Sequence, residues 1–251
     1  MPTKCIQPFY FVISRKVSMD YGELEERLGY TFKNKDLLKL SLTHTTYVFE
    51  QHGEHYQSNQ RLEYIGDAVA DLVIGRKLYE LKPEADEGYL SKIRSIIVCE
   101  ESFAQVARKL GLGELLLMGK GEEMTGGRDK DSTLADAFEA ITAAVYFDSD
   151  FETVREVVLK NLEEIIKLAV DGKIFLDYKS RLLEIAQMKN NQHKITFTIT
   201  DERGPQHERE FDVEVYADDT FLAKATGRSK KDAEQKGAKA AIDAYEKIFM
   251  V

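Results

Sequence analysis

Cysteine is scarce. Cys5 and Cys99 are the only two in 251 residues. They cannot build a disulfide framework or a Cys-rich structural zinc site, and such sparing use fits a reducing compartment. Long apolar runs are missing too. The segment Pro8-Phe9-Tyr10-Phe11-Val12-Ile13 falls far short of the ~20 residues a spanning helix needs. It has one lysine before it and no small-residue cleavage site after it, so it does not read as a signal peptide. No membrane partner is expected. Histidine is sparse, and none of His44, His52, His55, His193 and His207 precedes an aspartate, which argues against a His-Asp phosphohydrolase. Positive charge is in the minority, with 35 Lys+Arg against 44 Asp+Glu for a net −9. Internal repeats and low-complexity tracts are absent.

What remains is the composition of a soluble globular protein, with 43% hydrophobic and 31% charged residues. The length predicts one large or two smaller domains. Residues 171–251 carry 14 Lys+Arg and 15 Asp+Glu, a net of −1, which leaves −8 for residues 1–170. Neither half has the basic character usual in a nucleic-acid binder, so local arrangement has to overturn that prior.

Residues 1–18 read as an N-terminal extension of unknown role, and a helix-like segment opens at Met19. Apolar spacing of three and four then continues to about residue 170, as in Leu24 and Leu28, Leu37 to Leu42, and Phe103, Val106, Ala107 and Leu110. Gly111 and Gly113 end that last pattern. Residues 118–131 hold four glycines and no apolar period, and read as a long loop. Asp131, Ser132 or Thr133 is positioned to cap the helix after it. After a linker at 171–175 the pattern changes. A helix at 177–189 precedes Ile195, Phe197 and Ile199, which alternate with threonines, and Phe211, Val213 and Val215, which alternate with polar residues. Asp218-Asp219 marks a hairpin turn, residues 221–225 return, and a final helix starts at Ser229 with Ala233, Gly237, Ala240, Ala241, Ala244 and Ile248 on one face. The fold class is therefore an all-α domain over residues 19–170 followed by a small α+β unit, α-β-β-β-α, over 176–248.

Two apolar helices carry acids where acids are costly. Glu63 and Asp67 are four apart in Asn59-Gln-Arg-Leu-Glu-Tyr-Ile-Gly-Asp-Ala-Val, and Asp136 and Glu139 are three apart in Leu134-Ala-Asp-Ala-Phe-Glu-Ala. Each pair shares a helical face. A helix apolar nearly all round is buried, and buried carboxylates cost several kcal/mol unless paired or metal-bound. The second helix contains no lysine or arginine and the first only Arg61. A hard divalent cation such as Mg²⁺, which takes oxygen ligands, would resolve both burial and mutual repulsion. It would also suit phosphoryl-oxygen chemistry. The alternative is a pair of solvated acidic stripes, which the shortage of cations disfavours. Asp71 continues the row and reads as structural.

These residues resemble the ribonuclease III family. Asn59 to Val69 is similar to its signature and Leu134 to Ala140 to its second acidic motif. Leu42-Thr-His-Thr, Glu87 to Ser95, Gly119 to Glu123 and Gly126-Gly-Arg also fit, and the similarity spans residues ~20–248. The resemblance implies a Mg²⁺-dependent enzyme, with Mn²⁺ as a substitute, that hydrolyses both strands of double-stranded RNA. The products would carry 5′-phosphate and 3′-hydroxyl ends with short 3′ overhangs, as in processing of ribosomal RNA precursors and other structured transcripts. It implies metal ligands Glu63, Asp67, Asp136 and Glu139, with Asp67 and Glu139 catalytic, and a cytoplasmic homodimer with one cutting site per subunit. Gln60 stands where the family has an auxiliary Glu, and Tyr64 where it has a Phe that packs into the partner subunit; core packing is the other reading of Tyr64. Arg94 and the loop 120–130 would hold the RNA backbone near the cut. A catalytically silent RNA-binding protein is the competing reading, and the presence of all four acids weighs against it.

The C-terminal unit resembles the double-stranded-RNA-binding domain. Asp177, Ser180, Glu184, Gln187 and Asn191 form a polar ridge suited to 2′-hydroxyls and base edges in the shallow minor groove of A-form RNA, unless it is simply a solvated face. Gly204-Pro205-Gln206-His207 matches the family loop that enters a neighbouring minor groove. Ser229 is a good N-cap, yet Lys230 and Lys231 follow in a first turn where the helix dipole disfavours cations. That arrangement, with Lys236 nearby, points to phosphate binding. Leu183 replaces a Gln often found in relatives, so weak sequence selectivity is expected.

Overall fold

A computed structural model describes residues 21–174, 177–187, 192–205 and 209–249. The chain divides between Lys167 and Leu168 into two compact units.

The first unit is helical. Helices α1 (Tyr21–Leu28), α2 (Lys35–Ser41) and α3 (Thr45–Glu50) lead into α4 (Gln60–Leu81). Two of these short helices start where a side chain captures a free backbone N–H: Asn34 accepts from Asp36 and His44 from Thr46. Then come α5 (Glu87–Ile97), capped by Asp86 accepting from the Tyr89 N–H, and α6 (Glu100–Leu110). Gly111 closes α6 at φ +74°, a left-handed conformation that costs glycine little. The segment α7 (Leu112–Leu115) follows at once, so the pattern break at Gly113 lies inside a short helix. The glycine-rich stretch read as a loop contains α8 (Lys120–Met124) and a 3₁₀ turn, Gly127–Asp129. Helices α9 (Asp131–Asp148) and α10 (Phe151–Val170) complete the set, the last residues of α10 falling past the division. Lys130 occupies the N-cap of α9 without a side-chain cap, and Asp131 to Thr133 are already helical.

Helix α9 is the axis of this unit. Eleven of its residues are buried, from Thr133 to Val145 and on nearly every side, as its sequence requires. Helix α4 lies against it so closely that a Cβ on Gly66 would sit 1.8 Å from the Glu139 carbonyl oxygen. No other residue fits there. This contact sets the two acid-bearing helices face to face.

The second unit contains α11 (Tyr178–Ala186), β1 (Ile195–Arg203), β2 (Glu210–Ala217), β3 (Thr220–Gly227) and α12 (Lys230–Phe249). The strands are antiparallel in the order β1-β2-β3. Register pairs Phe197 with Val215 and Val215 with Ala223, and Asp218, in the tight turn, has φ +49°. Leu182, Ile185 and Ala186 of α11 and Ala238, Ala241, Ile242 and Tyr245 of α12 cover the inner face of the sheet. The buried face of α12 includes Ala233, Gly237 and Ala241 as the sequence indicated but is shifted at its edge: Ala240 is exposed and Ile248 half exposed, while Ala238 and Tyr245 point inward. Tyr245 replaces a methyl-sized contact with a ring that the alanine-rich pattern does not announce.

Candidate metal centre and nucleic-acid interface

The close approach of α4 and α9 brings carboxylates together. Glu63 from α4 and Asp136 and Glu139 from α9 each offer an oxygen within 4.8 Å of the others, and all three are partly buried. Asp67, one turn beyond Glu63, is exposed and lies outside that three-way group. It still acts on the group electrostatically, being the largest charge effect on Glu139.

The neighbouring charges acting on these groups are themselves carboxylates. Burial first, then Asp67, Asp136 and Glu63, push the Glu139 carboxyl up to about 8. Burial also raises Glu63, helped by Asp136 and Asp67, and raises Asp136, helped by Glu100. Glu100, the first residue of α6, is an acid that sequence reasoning missed. Acids at helix N-termini are ordinary, so its position carried no signal. Asp71 pairs with Arg94 of α5 at 3.7 Å.

This electrostatic strain has a sign that can be measured. Without a cation, the folded protein holds a proton on Glu139 up to about pH 8, whereas the unfolded chain releases it near 4.5. The group therefore costs nothing below pH 4.5 and destabilises increasingly as pH rises to about 8. Between pH 6.5 and 8.5 in EDTA, the wild-type melting temperature should fall relative to that of Glu139→Gln by a few degrees, about the effect of 1 kcal/mol at this chain length. Mg²⁺ should raise it more at pH 8.5 than at 6.5, because binding requires the deprotonated ligands. Parallel pH profiles of the two proteins would refute this.

The basic residues near the centre are largely engaged within the protein. Arg128 donates from Nη1 to the carbonyls of Gly113 (2.8 Å) and Leu116 (2.7 Å) and from Nε to Glu123 (2.9 Å), so it braces the loop. Lys130 pairs with Glu122 at 2.5 Å, and Lys120 is exposed. On α4, Tyr64, Leu72 and Tyr79 are 77%, 58% and 72% exposed. Tyr64 is thus no core residue of the single chain. The apolar surround of α4 hid this stripe, since periodicity cannot say which side of such a helix faces the core.

In the second unit, Ser180, Glu184 and Gln187 are exposed along α11. Asn191, Gln206 and His207 lie outside the described residues, while Gly204 and Pro205 are exposed between β1 and β2. Ser229 caps α12, its Oγ accepting from the Asp232 N–H at 3.1 Å. Lys230 Nζ sits 5.7 Å above the Phe211 ring and 4.0 Å from Glu202. Lys231 is exposed. Lys236 pairs with Asp232 (2.9 Å), whose carboxylate also accepts from the Arg228 N–H (2.8 Å).

A family model described as Ribonuclease-III-like matches residues 34–166. A protein curated as Ribonuclease 3 from Caldanaerobacter subterraneus is 47% identical over 219 residues, 87% of this chain and 95% of that protein. The chain belongs to the ribonuclease III family. A second relative of the same name, from Desulforamulus reducens, is 45% identical over 90% of this chain and 91% of its own. The double-stranded RNA binding motif matches residues 178–245. The crystal structure of the nuclease domain of ribonuclease III from Campylobacter jejuni aligns with a TM-score of 0.54 and 40% identity, covering 59% of this chain and 96% of that one. A further structure of that domain, 41% identical with the same TM-score over 58% of this chain and 97% of that one, is described for flexibility in a region involved in dimer formation. The chain is therefore an endoribonuclease of the ribonuclease III family, a helical nuclease domain followed by a double-stranded-RNA-binding domain. Among the described residues, no helix is long and apolar enough to cross a membrane.

Proposed function

We propose that the chain is a cytoplasmic, Mg²⁺-dependent homodimeric endonuclease that hydrolyses both strands of duplex RNA, and that Mn²⁺ substitutes for Mg²⁺. The carboxylate cluster between α4 and α9 carries this reading. Its donor set is oxygen only, it is partly buried, and the charges acting on it are negative, which fits a hard divalent cation. Glu63, Asp136 and Glu139 would hold the cation with Asp67, and Asp67 and Glu139 are the catalytic acids. When bound, the ion supplies Lewis acidity at the phosphoryl oxygens and offsets charge on the leaving oxygen. A water oxygen bonds to phosphorus as the bond to the 3′-oxygen breaks, which leaves a 5′-phosphate and, after proton uptake, a 3′-hydroxyl.

The exposed Tyr64, Leu72 and Tyr79 stripe supports pairing of two copies through α4, which would give two cutting sites and a short 3′ overhang. Residues 19–170 are the nuclease domain, 171–175 the linker and 176–248 the RNA-binding domain. Ribosomal RNA precursors and other structured transcripts are the substrates this reading favours. Ser180, Glu184, Gln187, Gly204, Pro205 and His207 would face the minor grooves, and Ser229, Lys230, Lys231 and Lys236 the phosphates between them. Replacing both Lys230 and Lys231 with Ala should weaken binding alike on duplexes of unrelated sequence. It should also reduce the slope of log K against log salt by about 0.9 per lost contact; an unchanged slope would remove both lysines from the interface.

Incubating one RNA as a uniform duplex and as a single strand, with Mg²⁺ or with EDTA, tests the whole reading. Cutting is expected only of the duplex and only with Mg²⁺. Cutting in EDTA, or an intact duplex with Mg²⁺, would overturn it.

A further inference from the structure

At the start of α11, Asp177 accepts three hydrogen bonds. Its Oδ1 takes the Ser180 N–H (3.0 Å) and the Nε2–H of Gln235 from α12 (2.7 Å), and its Oδ2 takes the Ser180 hydroxyl proton at 2.6 Å. Gln235 is held in turn, its Oε1 accepting from the Tyr178 N–H at 2.8 Å. Two donors therefore fix Oδ1, and this decides which carboxylate oxygen meets Ser180. These hydrogen bonds, first that of Gln235, hold the Asp177 carboxyl down to about 2, so it stays an acceptor-only carboxylate at any working pH.

A hydroxyl has one proton and two lone pairs. With the Ser180 proton committed inward, the exposed side of its oxygen offers only lone pairs. Four residues on, exposed Glu184 is also acceptor-only when ionised, with one oxygen, Oε2, paired to Arg181 Nη1 at 3.5 Å. This stretch of the ridge thus presents acceptors to a ligand that must bring the protons. A ribose 2′-hydroxyl brings one, whereas a deoxyribose has none.

We propose that Asp177 is a specificity-determining positioning residue: by holding the Ser180 proton it makes α11 select duplexes whose sugars donate a hydrogen bond. The inference rests on the duplex-RNA reading of this domain. Asp177→Asn tests it with little change in shape, since Asn is also a good N-cap. The two donors at Oδ1 keep the amide oxygen there and turn the amide NH₂ toward Ser180. The Ser180 oxygen then accepts from it, and its own proton points outward.

The experiment compares full-length protein on an RNA duplex and on a 2′-fluoro duplex of the same sequence, which keeps the A-form and loses the hydroxyl proton. Binding is measured in EDTA, with the RNA checked for integrity afterwards. The readout is the ratio of the two dissociation constants, which a merely structural defect would not move. Wild type should favour the hydroxyl duplex. Asp177→Asn should reduce that preference about three- to fivefold, the worth of one hydrogen bond. Ser180→Ala should reduce it similarly, and adding Asp177→Asn to Ser180→Ala should change nothing more. A wild-type ratio in either single variant, including equal weakening on both duplexes, would overturn the proposal alone. Failure of wild type to bind either duplex would bring down the duplex-RNA reading with it.

Discussion

Glu139→Gln is expected to lower duplex cleavage at least about a thousandfold while leaving duplex binding in EDTA within about twofold. The substitution keeps the side chain's shape. It turns one of three clustered carboxylates into a neutral amide and so removes the charge with the strongest upward shift in the cluster. Losing a ligand's charge from a metal centre removes several kcal/mol of transition-state stabilisation, and each 1.36 kcal/mol is a factor of ten. Binding should survive because most of the residues expected to grip RNA lie in the other unit. The variant should also be more thermostable than wild type in EDTA at pH 8.5, since the repulsion it relieves serves only the metal. Cleavage within tenfold of wild type, measured with trace-labelled duplex under single-turnover conditions, would remove Glu139 from the chemistry.

Gly66→Ala should be nearly as damaging, though no catalytic group is touched. The added Cβ would fall 1.8 Å from the Glu139 carbonyl oxygen and 2.4 Å from its carbonyl carbon. These are backbone atoms within a helix buried on nearly every side, so α4 and α9 must separate. Overpacking of this kind costs about 1–3 kcal/mol. Displacing catalytic groups by about 1 Å can cost a hundredfold in rate. The expected result is a lower melting temperature together with about a hundredfold loss of cleavage. Because Gly66 sits one turn from Glu63, Mg²⁺ should also rescue the variant's stability less than it rescues wild type. Normal activity with a normal melting temperature would mean that the helices do not meet as described.

Much of this was legible in the sequence for physical reasons. Acids in helices apolar all round, with almost no cation nearby, advertise a problem that folding must solve, and Glu63, Asp136 and Glu139 do converge. Alternation in 195–199 and 211–215 marks strands because side chains there face opposite sides of a sheet. Other features left no trace. The hydrogen bond from Gln235 to Asp177 spans 58 residues, and no local pattern encodes it. Helix α8 was hidden by the glycines around it. The outward placing of Leu72 and Tyr79 was invisible, and that of Tyr64 was suggested only by the family resemblance, because core-facing and partner-facing residues are equally apolar. Glu100 sat where any helix welcomes an acid, so only packing of α6 against α9 reveals what it faces.

The central claim is that acids from α4 and α9 share one hard cation. Anomalous diffraction at the manganese edge from crystals of the full chain soaked in Mn²⁺ tests it most directly. A peak within coordination distance of Glu63, Asp136 and Glu139 is predicted, absent from crystals of Glu139→Gln treated identically. A peak held by other residues, or none at a concentration that supports cleavage in solution, would contradict it.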